Sequence, residues 1–96
     1  MDRQTALTLL SARKPQLQSQ FGVRSLALFG STARGQAEEG SDVDILISFA
    51  SAPTSKQYFG ARFCLEDVLQ CPVDLVTEKA LRQELRPYVE RDAVHV

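Results

Sequence analysis

The sequence lacks the features typical of disulfide-rich exported proteins, of membrane-spanning proteins and of proteins that bind long nucleic acids. Its 96 residues include no tryptophan, one histidine and two cysteines, and no apolar run reaches the roughly 18 residues of a membrane span. Cys64 and Cys71 indicate a reducing cytosol rather than a disulfide framework. With 11 basic and 12 acidic residues the formal net charge is −1 and no basic tract occurs, which argues against a protein that binds long nucleic acids alone. We expect a cytoplasmic protein that does not enter the membrane.

The apolar runs of the sequence are short and are separated by glycine, proline or polar residues. We expect a single domain, residues 1–96, with a modest core. Apolar spacing predicts helices over 2–20, 56–70 and from 77 onward, strands over 23–29, 42–49 and 73–76, and a short edge strand over 93–96. This order predicts an α+β fold, a mixed sheet with helices packed on one face and a carboxylate site on the other.

Proline and aromatic residues refine the helical predictions. Pro15 should kink the first helix or divide it into two, and Pro87 leaves the bounds of the last helix open. Phe59 and Phe63 are expected to widen the core face of the second helix, and a platform for stacking bases is the alternative. The small polar residues 50–55 predict a mobile loop near the rim of the site.

The centre of the sequence is the stretch from residue 26 to residue 49, where an apolar run leads into a Gly-Ser turn. Gly30 lets the backbone approach a ligand closely, and Ser31 offers a hydroxyl and a backbone N–H. Residues 32–34 predict one helical turn that ends at Gly35. A strand, a glycine turn and a helix start bring free N–H groups together, which predicts an anion site.

Two carboxylates open the next strand. Residues two apart on a strand share a face, so Asp42 and Asp44 should point the same way and repel each other unless a cation lies between them. Oxygen ligands without histidine or cysteine suit Mg²⁺ or Mn²⁺. Glu38 and Glu39 are either further ligands or solvated loop charges, and the Ser41 hydroxyl is a candidate to cap or hold Asp42. Phosphate donors beside metal-binding carboxylates predict a nucleoside triphosphate site.

A third carboxylate interrupts the last apolar run. Asp74 lies among strong strand formers, where an unpartnered carboxylate is costly. We interpret it as a ligand on a neighbouring strand that faces the first two aspartates, and an ion pair with Arg82 or Arg86 is the alternative. His95, the single histidine, is terminal and isolated, so it is not expected to be a ligand.

At these residues the chain resembles the DNA polymerase beta-like nucleotidyltransferases, whose signature is GS-x10-D-x-D with a third aspartate. Within that superfamily it is similar to the minimal nucleotidyltransferases, the antitoxin partners of HEPN toxins. The likeness runs from about Phe21 to the last residue and is carried by residues 28–31, 33–35, 41–46 and 73–76. The resemblance implies catalytic and metal-binding roles for Asp42, Asp44 and Asp74 and nucleotide binding by Gly30, Ser31 and Arg34.

The resemblance also implies an activity. The expected reaction is the transfer of AMP from ATP, with Mg²⁺ or Mn²⁺, to a tyrosine hydroxyl of a HEPN toxin, which this antitoxin would silence as part of a hetero-oligomer. Two alternatives stay open. The protein could neutralise the toxin by contact alone with a vestigial site, or it could modify a small molecule or RNA, although no second domain for such an acceptor is evident.

Overall fold

The computed structural model of the chain describes residues 1–38 and 40–96. The elements run in the order α1 (Arg3–Phe21), β1 (Val23–Phe29), α2 (Gly30–Ala33), β2 (Val43–Phe49), α3 (Ser55–Leu69), β3 (Val73–Thr77), α4 (Arg86–Asp92) and β4 (Val94–His95). This order agrees with the predicted alternation. None of the helices in the described ranges combines the length and apolarity needed to cross a bilayer.

The strands form one mixed sheet in the order β3-β2-β1-β4. β1 is antiparallel to both of its neighbours, whereas β2 and β3 are parallel. A parallel pair needs a long crossover connection, and α3 provides it. The final strand pairs Val94 with Leu28 and His95 with Ala27, so the short edge strand predicted near the end of the chain is present.

Alternation along the strands separates two faces of the sheet. Ile45 and Ile47 are fully buried and pair with Leu28 and Leu26 of β1 on one face. Helices α1 and α3 pack on that face. The residues that they contribute to the core are Ala6, Leu10, Leu17, Ala61, Leu65 and Leu69. Leu46 points the other way and is also buried, at 4% exposure. The opposite face is therefore buried at Leu46 and polar near the start of β2, where Asp44 lies.

Helix α1 is held at both ends by its caps. The Asp2 carboxylate accepts a hydrogen bond from the Thr5 N–H at 2.7 Å, and Gly22 ends the helix with a φ of 69°. Between the caps the helix runs unbroken through Pro15, so the predicted division into two helices does not occur. Proline removes one intrahelical hydrogen bond, and the buried contacts of Leu10 and Leu17 on either side of it hold the helix together.

Helix α3 begins with a capping box that the sequence analysis missed. The Gln57 N–H donates to Thr54 Oγ1 at 3.1 Å, and the Thr54 N–H donates to Gln57 Oε1 at 2.9 Å. These reciprocal bonds satisfy two donors at the helix start. The preceding loop therefore ends at Thr54, and Ser55 is already helical.

The prediction that Phe59 and Phe63 belong to the core is wrong. Their side chains are 48% and 63% exposed, while Ala61 and Leu65 face the sheet. At about 100° per residue, Phe63 lies roughly 200° around the helix from Leu65. The predicted apolar stripe was too wide, because it counted every large apolar residue as inward-facing.

The predicted helix from residue 77 onward is mostly wrong. Thr77 still belongs to β3, turns follow, and α4 begins only at Arg86 with Pro87 in its first turn. The Glu78 N–H donates to the Ile47 carbonyl at 3.0 Å, which continues the sheet instead of starting a helix. Proline has no N–H to donate and is tolerated where a helix begins. Pro87 therefore marks the start of α4.

Candidate active site

Two of the predicted carboxylates lie side by side. Asp44 is the second residue of β2 and Asp74 the second residue of β3, and the parallel register pairs them directly. Paired residues of neighbouring strands point to the same face of a sheet. The two carboxyl groups are close enough to share a hydrogen bond. They lie on the face opposite α1 and α3, as the sequence predicted.

The electrostatics of this pair are unfavourable without a cation. Burial, then the charge and hydrogen bond of Asp74, and then the charge of Asp42 raise the pKa of Asp44 from 3.8 to about 6, while Arg34 acts in the opposite direction. Carboxylates this close cannot both ionise freely. The site therefore favours either a shared proton or a bound cation.

Asp42 comes just before β2 and is exposed. It shares the face of Asp44, and its charge reaches that carboxyl. Within the described ranges, however, no three acidic, histidine or cysteine side chains are already gathered around one metal position. Mg²⁺ is commonly bound by one or two carboxylates together with water and substrate phosphates. The Asp44–Asp74 pair supplies that number of hard oxygen donors, so the donor chemistry fits Mg²⁺ or Mn²⁺.

The Gly-Ser turn lies directly against Asp44, the inner member of this pair. Gly30 opens α2 with a φ of +71°, and a Cβ atom at this position would lie 2.9 Å from the Asp44 Cγ. Only glycine fits without displacing the carboxyl group. Ser31 follows at the start of α2, where the first backbone N–H groups have no partner within the helix. Anion donors and carboxylates therefore meet at one end of β2.

Arg34 is the residue at which α2 ends, after the Gly-Ser turn. Its Nη1 forms a 2.7 Å ion pair with Asp92 Oδ2 of α4, and its Nε donates to Gln36 Oε1 at 3.1 Å. Its positive charge lowers the pKa of Asp44, so the guanidinium belongs to the same electrostatic cluster. Neither Asp92 nor Gln36 was predicted. Asp92 is 58 residues from Arg34 and belongs to no motif that would reveal the contact.

Other predicted contacts differ from the structure. No ion pair joins Asp74 to Arg82 or Arg86 among the ion pairs of residues 1–38 and 40–96, and Arg86 instead pairs with Glu90 at 3.3 Å. The Ser41 hydroxyl accepts the Glu38 N–H at 3.2 Å, and among the described residues no hydrogen bond joins it to Asp42, contrary to the prediction.

The other candidate residues in the described ranges are exposed side chains or free thiols. Glu38 is exposed, and Glu39 lies outside the described residues. His95 is exposed on β4 and sits in the edge pairing with β1. Cys64 and Cys71 are free thiols, and burial raises the pKa of each.

A cavity of about 450 Å³ lies at the other end of β2, between the loop that follows it and the residues that follow β3. Its lining includes Arg24, Ser48, Pro53 and Lys79. Asp44 is five residues before Phe49, the last residue of β2, which corresponds to about 16 Å along the strand. The loop predicted at the rim of the carboxylate site therefore lies at the opposite end of the strand.

A family model for the nucleotidyltransferase domain matches residues 11–95. The chain belongs to that family. Among its relatives is the protein adenylyltransferase MntA of Thermococcus cleftensis, 39% identical over 89 residues that cover 93% of this chain and 90% of the relative. A candidate protein adenylyltransferase of Methanocaldococcus jannaschii is 37% identical over 73 residues, which cover 76% of this chain and 85% of that one. The predicted enzyme class, a nucleotidyltransferase of the protein-adenylyltransferase type, is confirmed.

Solved structures confirm the nucleotidyltransferase fold. A candidate minimal nucleotidyltransferase superposes with a TM-score of 0.82 at 35% identity, over 98% of this chain and 95% of that one. A toxin–antitoxin complex with AMP-PNP has a TM-score of 0.68 at 22% identity, over 99% of this chain and 72% of that one. The complex of a tri-AMPylated Shewanella oneidensis HEPN toxin with its MNT antitoxin has a TM-score of 0.58 at 20% identity, over 97% and 66%. At such low identity these last two likenesses show the fold alone.

Proposed function

We propose that this nucleotidyltransferase transfers AMP from ATP to a hydroxyl group, a tyrosine in the first instance, of a HEPN-type toxin and so acts as its antitoxin. Two contacts of Asp44 support the site assignment: it is paired with Asp74 in the sheet, and Gly30 lies directly against its carboxyl group. Relatives named as protein adenylyltransferases and the solved complexes of MNT antitoxins with HEPN toxins support the choice of acceptor.

In this proposal the turn binds the nucleotide. The backbone N–H groups at Gly30 and Ser31 donate hydrogen bonds to phosphate oxygens, as helix starts do, and the Arg34 guanidinium adds positive charge and further N–H donors. Asp44 and Asp74, joined by Asp42, would hold Mg²⁺ or Mn²⁺, which when bound offsets the negative charge of carboxylates and phosphates. ATP is the proposed substrate, and the bound ATP analogue in a structurally similar complex is consistent with it.

The position of Asp74 favours an acceptor that approaches from the edge of the sheet. β3 is the edge strand beside β2, and Asp74 is exposed whereas Asp44 is half-buried. The acceptor oxygen attacks the α-phosphorus, its bond to phosphorus forms as the bond to pyrophosphate breaks, and pyrophosphate leaves opposite. Asp74 is placed to accept the proton that the hydroxyl loses. Asp44 is less exposed than Asp74, and its role would be to help hold the cation beside the phosphates of ATP.

The contact-only alternative makes a different demand on the sequence. An adjacent carboxylate pair with one strongly raised pKa reduces the stability of the metal-free fold. A protein that acts only by covering its partner needs no such pair. We therefore place catalysis first and make contact-only neutralisation an outcome of the test.

The test combines the purified chain with a HEPN-type toxin, ATP and Mg²⁺, and measures the intact mass of that toxin. We expect one or more additions of roughly 329 Da, the mass of an adenylyl group. Asp44→Asn and Asp74→Asn should abolish the additions, and Ser31→Ala should slow them. Glu38→Gln, which removes an exposed carboxylate near the turn, is the matched control and should behave as wild type. Full silencing of the partner without ATP, and without a mass change, would establish contact-only neutralisation instead.

A further inference from the structure

The guanidinium group of Arg34 is held from two directions. Asp92 Oδ2 lies 2.7 Å from its Nη1, and Gln36 Oε1 lies 3.1 Å from its Nε. The Asp92 side chain is only 15% exposed, whereas that of Arg34 is 43% exposed. One end of the ion pair is therefore anchored in the fold, and the other reaches toward solvent beside the turn.

The anchoring comes from α4. This helix contacts both α2 and β1, and β4, which follows it, is paired to β1. A free arginine side chain has many rotamers, and restricting them before a ligand binds reduces the entropy lost on binding. Asp92, which is part of α4, pairs with Arg34 and so restricts the rotamers of this arginine beside the Gly-Ser turn.

The contacts leave part of the arginine unused. A guanidinium has five N–H donors, and Asp92 and Gln36 engage only its Nη1 and Nε. In the described part of the chain no acceptor is bonded to Nη2. The positive charge of Arg34 lowers the pKa of Asp44, and Arg34 directly follows the Gly30–Ala33 helix that opens at the candidate site, so the guanidinium lies within electrostatic reach of that site.

The negative charge of Asp92 is shared between Arg34 and a second arginine. Its other oxygen, Oδ1, lies 3.8 Å from the Nε of Arg91, which is 72% exposed. One carboxylate is thus shared by two arginines, and the group of three carries a net charge of about +1 at neutral pH. The cluster stays attractive to a phosphate.

We propose that Asp92 is a positioning residue for nucleotide binding: it orients Arg34 so that the unused donors of the guanidinium meet the leaving pyrophosphate portion of ATP. This inference rests on the proposed function, because it assigns Arg34 to the nucleotide. It adds a residue of α4 to the site, outside the GS and D-x-D motifs.

The test compares Asp92→Asn, Asp92→Glu and Glu90→Gln with wild type. The matched control, Glu90→Gln, breaks the ion pair with Arg86 on the same helix and does not touch Arg34. ATP affinity is measured by calorimetry with Mg²⁺, melting temperature without ligand, and KM for ATP and kcat with the partner. We expect Asp92→Asn to weaken ATP binding and raise KM roughly tenfold, with Asp92→Glu in between and Glu90→Gln unchanged.

A double substitution separates positioning from a purely structural role. If Asp92 acts through Arg34, then Arg34→Ala/Asp92→Asn binds ATP no more weakly than Arg34→Ala alone. Additive losses would overturn the proposal, as would an Asp92→Asn variant that binds ATP as well as or better than wild type. If Asp92→Asn does not fold, Asp92→Glu decides: weaker ATP binding at an unchanged melting temperature supports positioning, and unchanged binding overturns it. Asp92-dependent ATP binding without any transfer to the partner would refute the proposed function but not this inference.

Discussion

The α-carbon of Gly30 lies directly against the carboxyl group of Asp44. A methyl group added to Gly30 would come within 2.9 Å of the Asp44 Cγ, and the residue holds a φ of +71°. Two independent constraints, a left-handed backbone and a close neighbour, therefore meet at one residue. The GS and D-x-D halves of the motif are therefore in contact in the folded chain.

Gly35 makes this relationship testable, because it shares only one of the two constraints. Its φ is +72° and nothing lies within 4 Å of an added Cβ. Gly35→Ala should lower the free energy of unfolding by about 1 kcal/mol through backbone strain. Gly30→Ala should lose about 1–3 kcal/mol more, because it also displaces the Asp44 carboxyl. Urea denaturation of both variants measures the difference, and equal losses would show that the contact with Asp44 carries no cost.

The Asp44 carboxyl should make the metal-free protein less stable as the pH rises. Its folded-state pKa is raised by burial and by Asp74 to about 6, above its ordinary value of 3.8. Since the folded state holds the proton more tightly than the unfolded state, this contribution to stability is complete below about pH 3.8 and is lost as the pH rises through about 6. The difference between a pKa of 3.8 and one of about 6 corresponds to about 3 kcal/mol for a fully buried group. Because the carboxyl is partly exposed, we expect about 1–2 kcal/mol between pH 4 and pH 7.

Asp44→Asn removes this titration. In EDTA the variant should match or exceed the stability of wild type at pH 7, and this difference should disappear or reverse toward pH 4. Asp67→Asn, at an exposed position on α3, serves as the control and should follow the wild-type pH profile. Loss of folding by Asp44→Asn at pH 7 would indicate that the carboxylate has a structural role instead.

The strands and the face on which the carboxylates lie could be predicted, because alternation with period two assigns each strand residue to a face. Asp44 and Asp74 therefore met as expected. The ion pair of Arg34 with Asp92 could not be predicted, since it depends on how α4 packs across the sheet and no local pattern encodes that packing. The exposure of Phe63 was missed for a related reason: helical spacing shows which residues share a face, but the neighbouring elements decide how wide the buried face is.

Removal of metal should separate nucleotide binding from folding. Addition of ATP with Mg²⁺ should raise the melting temperature, because the ligand binds the folded state; at 100 times Kd the gain is about 2.7 kcal/mol. In EDTA the effect of ATP should vanish, and Asp74→Asn should show little stabilisation even with Mg²⁺. Differential scanning fluorimetry measures all three conditions. Equal stabilisation by ATP with and without Mg²⁺ would contradict a role for these carboxylates in metal-assisted binding.

Two apolar residues of α3 should differ sharply in their contribution to stability. Phe63 is 63% exposed, whereas Leu65, on the other side of the helix, is fully buried. Phe63→Ser should therefore change the free energy of unfolding by about 0.5 kcal/mol or less, as surface substitutions usually do. Leu65→Ala should cost about 2–5 kcal/mol, because it removes buried methyl groups and leaves a cavity under the sheet. Urea denaturation of each variant checks this, and a loss of several kcal/mol in Phe63→Ser would place that ring in the core after all.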